Sequence, residues 1–116
     1  MMVGQWGEQL AAQYLTQQGL TIIQKNVHTP YGEVDIIARE EDMTVFVEVK
    51  ARSGDGFGLP EEAVNSKKMS HLVDAAEAFM QEHPELPGAW RIDIIAIRGK
   101  PGDLSPEIIW FENAIS

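Results

Sequence analysis

Two apolar, β-branched runs dominate the middle of this chain: Glu33-Val34-Asp35-Ile36-Ile37-Ala38 and Thr44-Val45-Phe46-Val47-Glu48-Val49-Lys50-Ala51. Glu40-Glu41-Asp42-Met43 supplies the short connection between them. Runs of this kind on either side of a turn predict an antiparallel hairpin. The second run constrains the fold most. Val45, Phe46, Val47 and Val49 read as a buried strand, yet Glu48 and Lys50 interrupt it. Charges placed against the pattern of a buried strand mark a functional or strained position.

Strand side chains alternate between faces, so Val45, Val47 and Val49 share one face and Phe46, Glu48 and Lys50 the other. Glu48 and Lys50 then point the same way, about 7 Å apart along the strand. A turn centred on Glu41-Asp42 sets Arg39 opposite Thr44, Ile37 opposite Phe46, Asp35 opposite Glu48 and Glu33 opposite Lys50. Opposed carboxylates repel, which costs stability. A divalent cation between Asp35 and Glu48 relieves that cost and uses both as oxygen ligands. The register decides this, because a slip of one residue sends the two acids to opposite faces.

The first helix is expected over Gln5 to Gln18, where Leu10, Ala11, Tyr14 and Leu15 recur at helical spacing and Gly19 ends the pattern. Glu8 shares the face of Ala11, Ala12 and Leu15. Two readings stand side by side: a favourable interaction with the helix N-terminus, or a third carboxylate leaning over the sheet to complete a metal site. Leu20–Ile23 reads as a short strand. Met69, Leu72, Val73, Ala76 and Met80 mark a second helix, with Ser66 as its N-cap and Pro84 as its stop. Strands follow at Trp90–Ile97 and Pro106–Phe111. The order α-β-β-β-α-β-β predicts a single α/β domain over residues 1–116, a central mixed β-sheet with flanking helices.

A hard cation such as Mg²⁺ prefers carboxylate and water oxygens and can activate a bound water. Such a site suits phosphodiester hydrolysis, with Lys50 holding the attacking water or neutralising the transition state. The chain has no Cys, which excludes disulfides, thiolate metal sites and Cys nucleophiles. His28, His71 and His83 lack zinc-ligand spacing, and no G-x-S-x-G occurs. With 9 Lys plus Arg against 18 Asp plus Glu, the net charge of −9 argues against a general nucleic-acid coat protein. Any phosphate contact must come from a local patch: Lys25, Arg52, Lys67 and Lys68. Lys67 and Lys68 fall in a first helical turn, where the macrodipole disfavours cations, so a phosphate contact competes there with ordinary solvated lysines. Gly54, Gly56 and Gly58 read as a substrate-facing loop and Leu59–Glu62 as a short helical start. Asp93, inside an apolar strand, is expected to be structural. No apolar run is long enough to cross a membrane, and the N-terminus lacks the features of a signal peptide. A cytoplasmic protein with no membrane partner is expected.

Gly7-Glu8, Gly32-Glu33-Val34-Asp35-Ile36-Ile37-Ala38, Phe46-Val47-Glu48-Val49-Lys50-Ala51-Arg52, Glu62-Ala63-Val64 with Lys67, and Arg91-Ile92-Asp93 together resemble the YraN-like family of small bacterial proteins. That family is grouped with the PD-(D/E)XK superfamily, which includes restriction endonucleases and Holliday-junction resolvases. The resemblance runs over nearly the whole chain and departs from the family pattern at His28 and Ile92, outside the proposed catalytic set. It implies a restriction endonuclease-like fold with the acid–x–lysine strand central. It implies Asp35 and Glu48 as ligands of Mg²⁺ or Mn²⁺, Lys50 as the catalytic lysine and Glu8 as an auxiliary acid. The expected function is metal-dependent hydrolysis of DNA, branched or single-stranded. The alternative is a non-catalytic module that keeps the fold and binds nucleic acid or protein. Superfamily analogy adds a homodimeric resolvase as a third reading.

Overall fold

The computed structural model describes residues 2–53 and 65–115. The glycine-rich segment at Gly54, Gly56 and Gly58, the helical start at Leu59–Glu62 and the Glu62-Ala63-Val64 string lie outside the described residues. Helix α1 spans Val3–Gln17, strands β1, β2 and β3 span Thr21–Thr29, Gly32–Glu40 and Met43–Arg52, helix α2 spans Ser66–Glu82, and strands β4 and β5 span Trp90–Arg98 and Glu107–Phe111. Among the described residues the order of elements is the one expected.

The five strands form one sheet in the order β1-β2-β3-β4-β5. The β1–β2, β2–β3 and β4–β5 pairs are antiparallel, and β3–β4 is parallel. The parallel pair needs a crossover, and α2 lies within it. The chain is a single compact α/β domain, with two helices on a mixed sheet among the described residues.

The helices cover opposite faces. Ala11 and Leu15 of α1 bury against Ile36, Ala38, Val45, Val47, Ala51, Ile95 and Ile97. Leu72, Ala75, Ala76 and Phe79 of α2 bury against Val34, Ile37, Phe46, Ile92 and Ile94. Strand β3 therefore alternates as its sequence dictates, with Val45 and Val47 toward α1 and Phe46 toward α2. The Phe46 ring meets Phe79 and Trp90 edge-on, at centroid distances of 5.6 and 6.0 Å. Removing so buried a ring costs about 3–5 kcal/mol.

Helix α1 seats on β3 at one close approach. A Cβ on Gly7 would come within 2.5 Å of the Ala51 Cβ. Only glycine at this position lets α1 lie this low on the sheet, and the next residue is Glu8. Helix α2 starts differently from the expectation: Asn65, not Ser66, is the N-cap, its side chain accepting the Lys68 N–H at 2.8 Å. Strand β1 runs six residues beyond Ile23, to Thr29. It is an edge strand with mostly exposed side chains, so its polar half carries no apolar alternation to reveal it.

Asp93 is fully buried and structural, as expected. Arg91 donates to both its oxygens, at 3.0 and 3.2 Å, and Trp110 Nε1 and the Asn113 N–H complete the set at 2.9 Å each. The same guanidinium reaches Glu40 and Glu112, tying β4 to the end of β2 and to the segment after β5.

Candidate active site

The hairpin register holds as expected through its ladder, with Arg39 opposite Thr44, Ile37 opposite Phe46 and Ile36 opposite Val47. The recorded pairing ends there. Instead of a further ladder bond, the Asp35 Oδ2 accepts the Val49 N–H at 2.8 Å. The expected Glu33–Lys50 pairing is replaced as well. Glu33 lies opposite His28 on β1, with His28 Nδ1 at 3.6 Å from its carboxylate.

The side-chain faces switch at this point. Val34 packs toward α2, while Ile36, two residues on, packs toward α1. A regular strand keeps residues two apart on one face. On β1, Val27 lies opposite Val34 and Lys25 opposite Ile36, so Asn26 sits at the matching position. Asn26 has a left-handed backbone, φ 53°. Such a conformation is uncommon outside glycine and most tolerated by Asn and Asp. Beside this left-handed residue the Asp35 carboxylate leaves its own ladder and reaches the Val49 amide of β3.

Glu48, on the α2 face of β3, is the most perturbed acid among the described residues. Its Oε1 pairs with Lys68 Nζ at 3.5 Å. Its Oε2 is buried without a hydrogen-bond partner, a state shared among the described residues only by Thr44 Oγ1. Burial first, and then the Asp35 charge, push the Glu48 pKa up to about 7 against the opposing pull of Lys68 and Lys50. Asp35 is also raised, by burial, against the Val49 N–H bond and Lys68 that lower it. Lys50 is held below the usual lysine value by burial and by Arg52. Raised acids and a lowered lysine in one place mark a candidate functional site.

Glu8 reaches the group from α1. Burial and the charges of Asp35 and Glu33 raise its pKa, with Lys25 opposing them. The Asn26 amide, oriented with its nitrogen toward the acids, donates to Glu8 Oε1 at 2.6 Å and to Glu33 Oε1 at 3.1 Å. Asn26 is thus a part of the site that the strand pattern did not single out, and Glu33, expected beside Lys50, joins it instead through Asn26 and Glu8. The signal for Asn26 was conformational, and nothing in its neighbours announced a left-handed residue.

The four cations separate. Lys68 joins Glu48, and Lys25 lies beside Glu8. Arg52 turns its Nη1 onto the Ala51 carbonyl at 2.7 Å while its charge acts on Lys50. Lys67 is exposed in the first turn of α2. Among the described residues, no three His, Asp or Glu side chains gather closely enough to cage a metal ion. What the chain offers is a carboxylate pair with one vacant oxygen. That fits Mg²⁺, which keeps several waters and takes one or two protein carboxylates.

The family model for the uncharacterised protein family UPF0102 matches residues 7–97. The chain belongs to this family. Matched UPF0102 proteins include those of Syntrophomonas wolfei, 42% identical over 100 residues, covering 86% of this chain and 87% of the relative. The Syntrophotalea carbinolica protein is 40% identical over 107 residues, covering 92% and 87%. That of Vibrio parahaemolyticus is 38% identical over 115 residues, covering 98% and 92%. A solved structure, Pyrococcus furiosus SfsA in complex with Ca²⁺, is similar at a TM-score of 0.35 and 12% identity, over 94% of this chain and 62% of that one. A likeness at that level carries no argument. The span matched to UPF0102 contains Glu8, Asp35, Glu48, Lys50 and Lys68. Among the described residues, no helix is long and apolar enough to cross a membrane.

Proposed function

We propose that this UPF0102 protein is a divalent-metal-dependent phosphodiesterase acting on DNA, built on the PD-(D/E)XK plan. The observation that carries the reading is the buried, partnerless Glu48 Oε2 next to the Asp35 charge. A buried carboxylate oxygen with no donor is costly unless something cationic takes it.

Asp35 and Glu48 would hold Mg²⁺ or Mn²⁺, with Glu8 as the auxiliary acid from α1. When bound, the ion lowers the pKa of a coordinated water and neutralises phosphate charge. The chain's own residues do the rest. Lys50, two residues from Glu48 on the same face, donates from Nζ to a non-bridging phosphate oxygen as negative charge builds there. Asp35 is oriented by the Val49 N–H, and Glu8 by the Asn26 amide. Lys68 holds Glu48 in place and leaves Oε2 open.

The test is cleavage of branched, single-stranded and duplex DNA with Mg²⁺ or Mn²⁺, comparing wild type with Lys50→Ala. Cleavage by wild type, reduced about 100-fold or more in the variant, is expected. DNA binding with no cleavage under either metal would mean a binding module instead.

A further inference from the structure

Lys68 is an unfavourable residue for its place in the chain. It stands in the first turn of α2, where its backbone N–H donates to the Asn65 side chain at 2.8 Å. A cation in a first turn opposes the helix dipole. That turn contains no acid to offset it, and the neighbouring Lys67 is exposed. What compensates Lys68 lies on the sheet: its Nζ is 3.5 Å from Glu48 Oε1.

The ammonium sits among the charges of the candidate site, acting on Asp35 and Lys50 as well as on Glu48. Among the described residues, Glu48 makes its ion pair with Lys68 alone, and its other oxygen, Oε2, is buried without a partner. The two side chains of the pair are unequal. Glu48 is 13% exposed and Lys68 44%. The acid is held in the sheet, while the cation rides on a flexible four-carbon stem with solvent beside it. A divalent cation bound by Asp35 and Glu48 needs the same carboxylate. Two cations on one largely buried carboxylate repel, and the one on the flexible stem gives way.

We infer that Lys68 is a resident counter-ion that the divalent cation displaces: it neutralises Glu48 in the metal-free chain and gives up the carboxylate when the site is loaded. The inference rests on the metal-dependent reading above. It accounts for two mutually repelling acids in a folded, metal-free chain, because Lys50 and Lys68 balance Asp35 and Glu48 charge for charge. It also makes Lys68 a determinant of metal affinity, since an entering cation must first break the Lys68 pair. A different role, a strut that stays on Glu48 in the loaded site, predicts the opposite sign when the ammonium is removed. Without a strut the metal binds more weakly; without a competitor it binds more tightly.

The experiment is isothermal titration of Mg²⁺ into wild type and variants at pH 8, above the value of about 7 reached by Glu48. Thermal unfolding in EDTA and in Mg²⁺ is measured alongside. Lys68→Met removes the charge and keeps a good helix former, and Lys68→Gln, also neutral, repeats the test with a polar side chain. Lys68→Arg keeps the charge and offers a forked, bidentate grip on the carboxylate. Lys67→Met removes the exposed neighbouring charge. Both neutral Lys68 variants are expected to bind Mg²⁺ about tenfold more tightly than wild type, and Lys68→Arg about tenfold more weakly. Lys67→Met should stay within about twofold of wild type, its charge being screened by solvent. The neutral Lys68 variants should also be less stable than wild type in EDTA and gain more from Mg²⁺. Wild-type binding that weakens or does not change in both neutral variants overturns the displacement and leaves the metal site standing. Equal tightening in Lys67→Met overturns it as well, since any lost charge would then serve. Binding by the neutral Lys68 variants alone supports it. Binding by none of the chains removes the metal site and the displacement together.

Discussion

The Asp35 carboxylate and the Val49 amide are joined by a 2.8 Å hydrogen bond where the β2–β3 ladder ends. This bond separates two roles of Asp35, acceptor and charge. Asp35→Asn keeps an acceptor for Val49 and removes the repulsion on Glu48. It is expected to leave stability unchanged or raise it slightly in urea denaturation with EDTA. Asp35→Ala leaves the Val49 N–H unpaired and should cost about 1–3 kcal/mol. Equal stability losses in the two variants would contradict this division.

Gly7 and Ala51 make a second paired prediction. Gly7→Ala forces the new methyl onto the Ala51 Cβ, a contact of 2.5 Å without rearrangement. A loss of about 1–3 kcal/mol is expected, with Glu8 lifted off the sheet. Adding Ala51→Gly should return most of the stability. A Gly7→Ala chain as stable as wild type would show that α1 does not need this approach.

Stability of the metal-free chain should fall as pH rises. Glu48 is raised from 4.5 to about 7 by burial and by Asp35. Between those values the unfolded chain has released the Glu48 proton and the folded chain retains it. Unfolding is therefore favoured progressively across that window, by an amount on the order of 3 kcal/mol, and the loss levels off above it. Asp35 and Glu8 shift in the same direction and add to the slope. Denaturant titrations in EDTA at intervals from pH 5 to pH 8 measure it. Glu48→Gln should flatten most of the dependence.

Asp93 is expected to be the least tolerant polar position. Its oxygens accept from Arg91, Trp110 and the Asn113 backbone inside the domain. Asp93→Ala leaves a guanidinium that is only 13% exposed with Glu40 and Glu112 alone and takes the acceptor from Trp110 Nε1, and losing the buried partner of such a pair costs about 3–5 kcal/mol. Thermal unfolding would register the loss, while a change under 1 kcal/mol would contradict the structural assignment.

The hairpin was legible because two alternating strands and a two-residue turn leave one register that buries Ile37 and Phe46 together. That register sets Asp35 opposite Glu48, but the paired residues stop at Ile36 and Val47 and Asp35 bonds the Val49 amide instead. Their environment was not legible. The face switch between Val34 and Ile36 depends on a left-handed Asn26, a backbone choice that hydrophobic periodicity does not encode. Lys68 could be assigned to a helix start, but its reach to Glu48 follows from how α2 docks on the sheet. Gly7 stood in a family string without a reason, and the reason is a neighbour 44 residues away. Asn65 caps α2 where Ser66 is expected, because both residue types cap helices and only geometry separates them.

The central claim is that Asp35 and Glu48 jointly hold a divalent cation. Isothermal titration of Mn²⁺ into the chain at neutral pH tests it most directly, with Asp35→Asn and Glu48→Gln run alongside wild type. The account predicts saturable binding by wild type and its loss in both variants, each verified as folded. Binding of equal strength in all three proteins, or no binding by wild type, would contradict it.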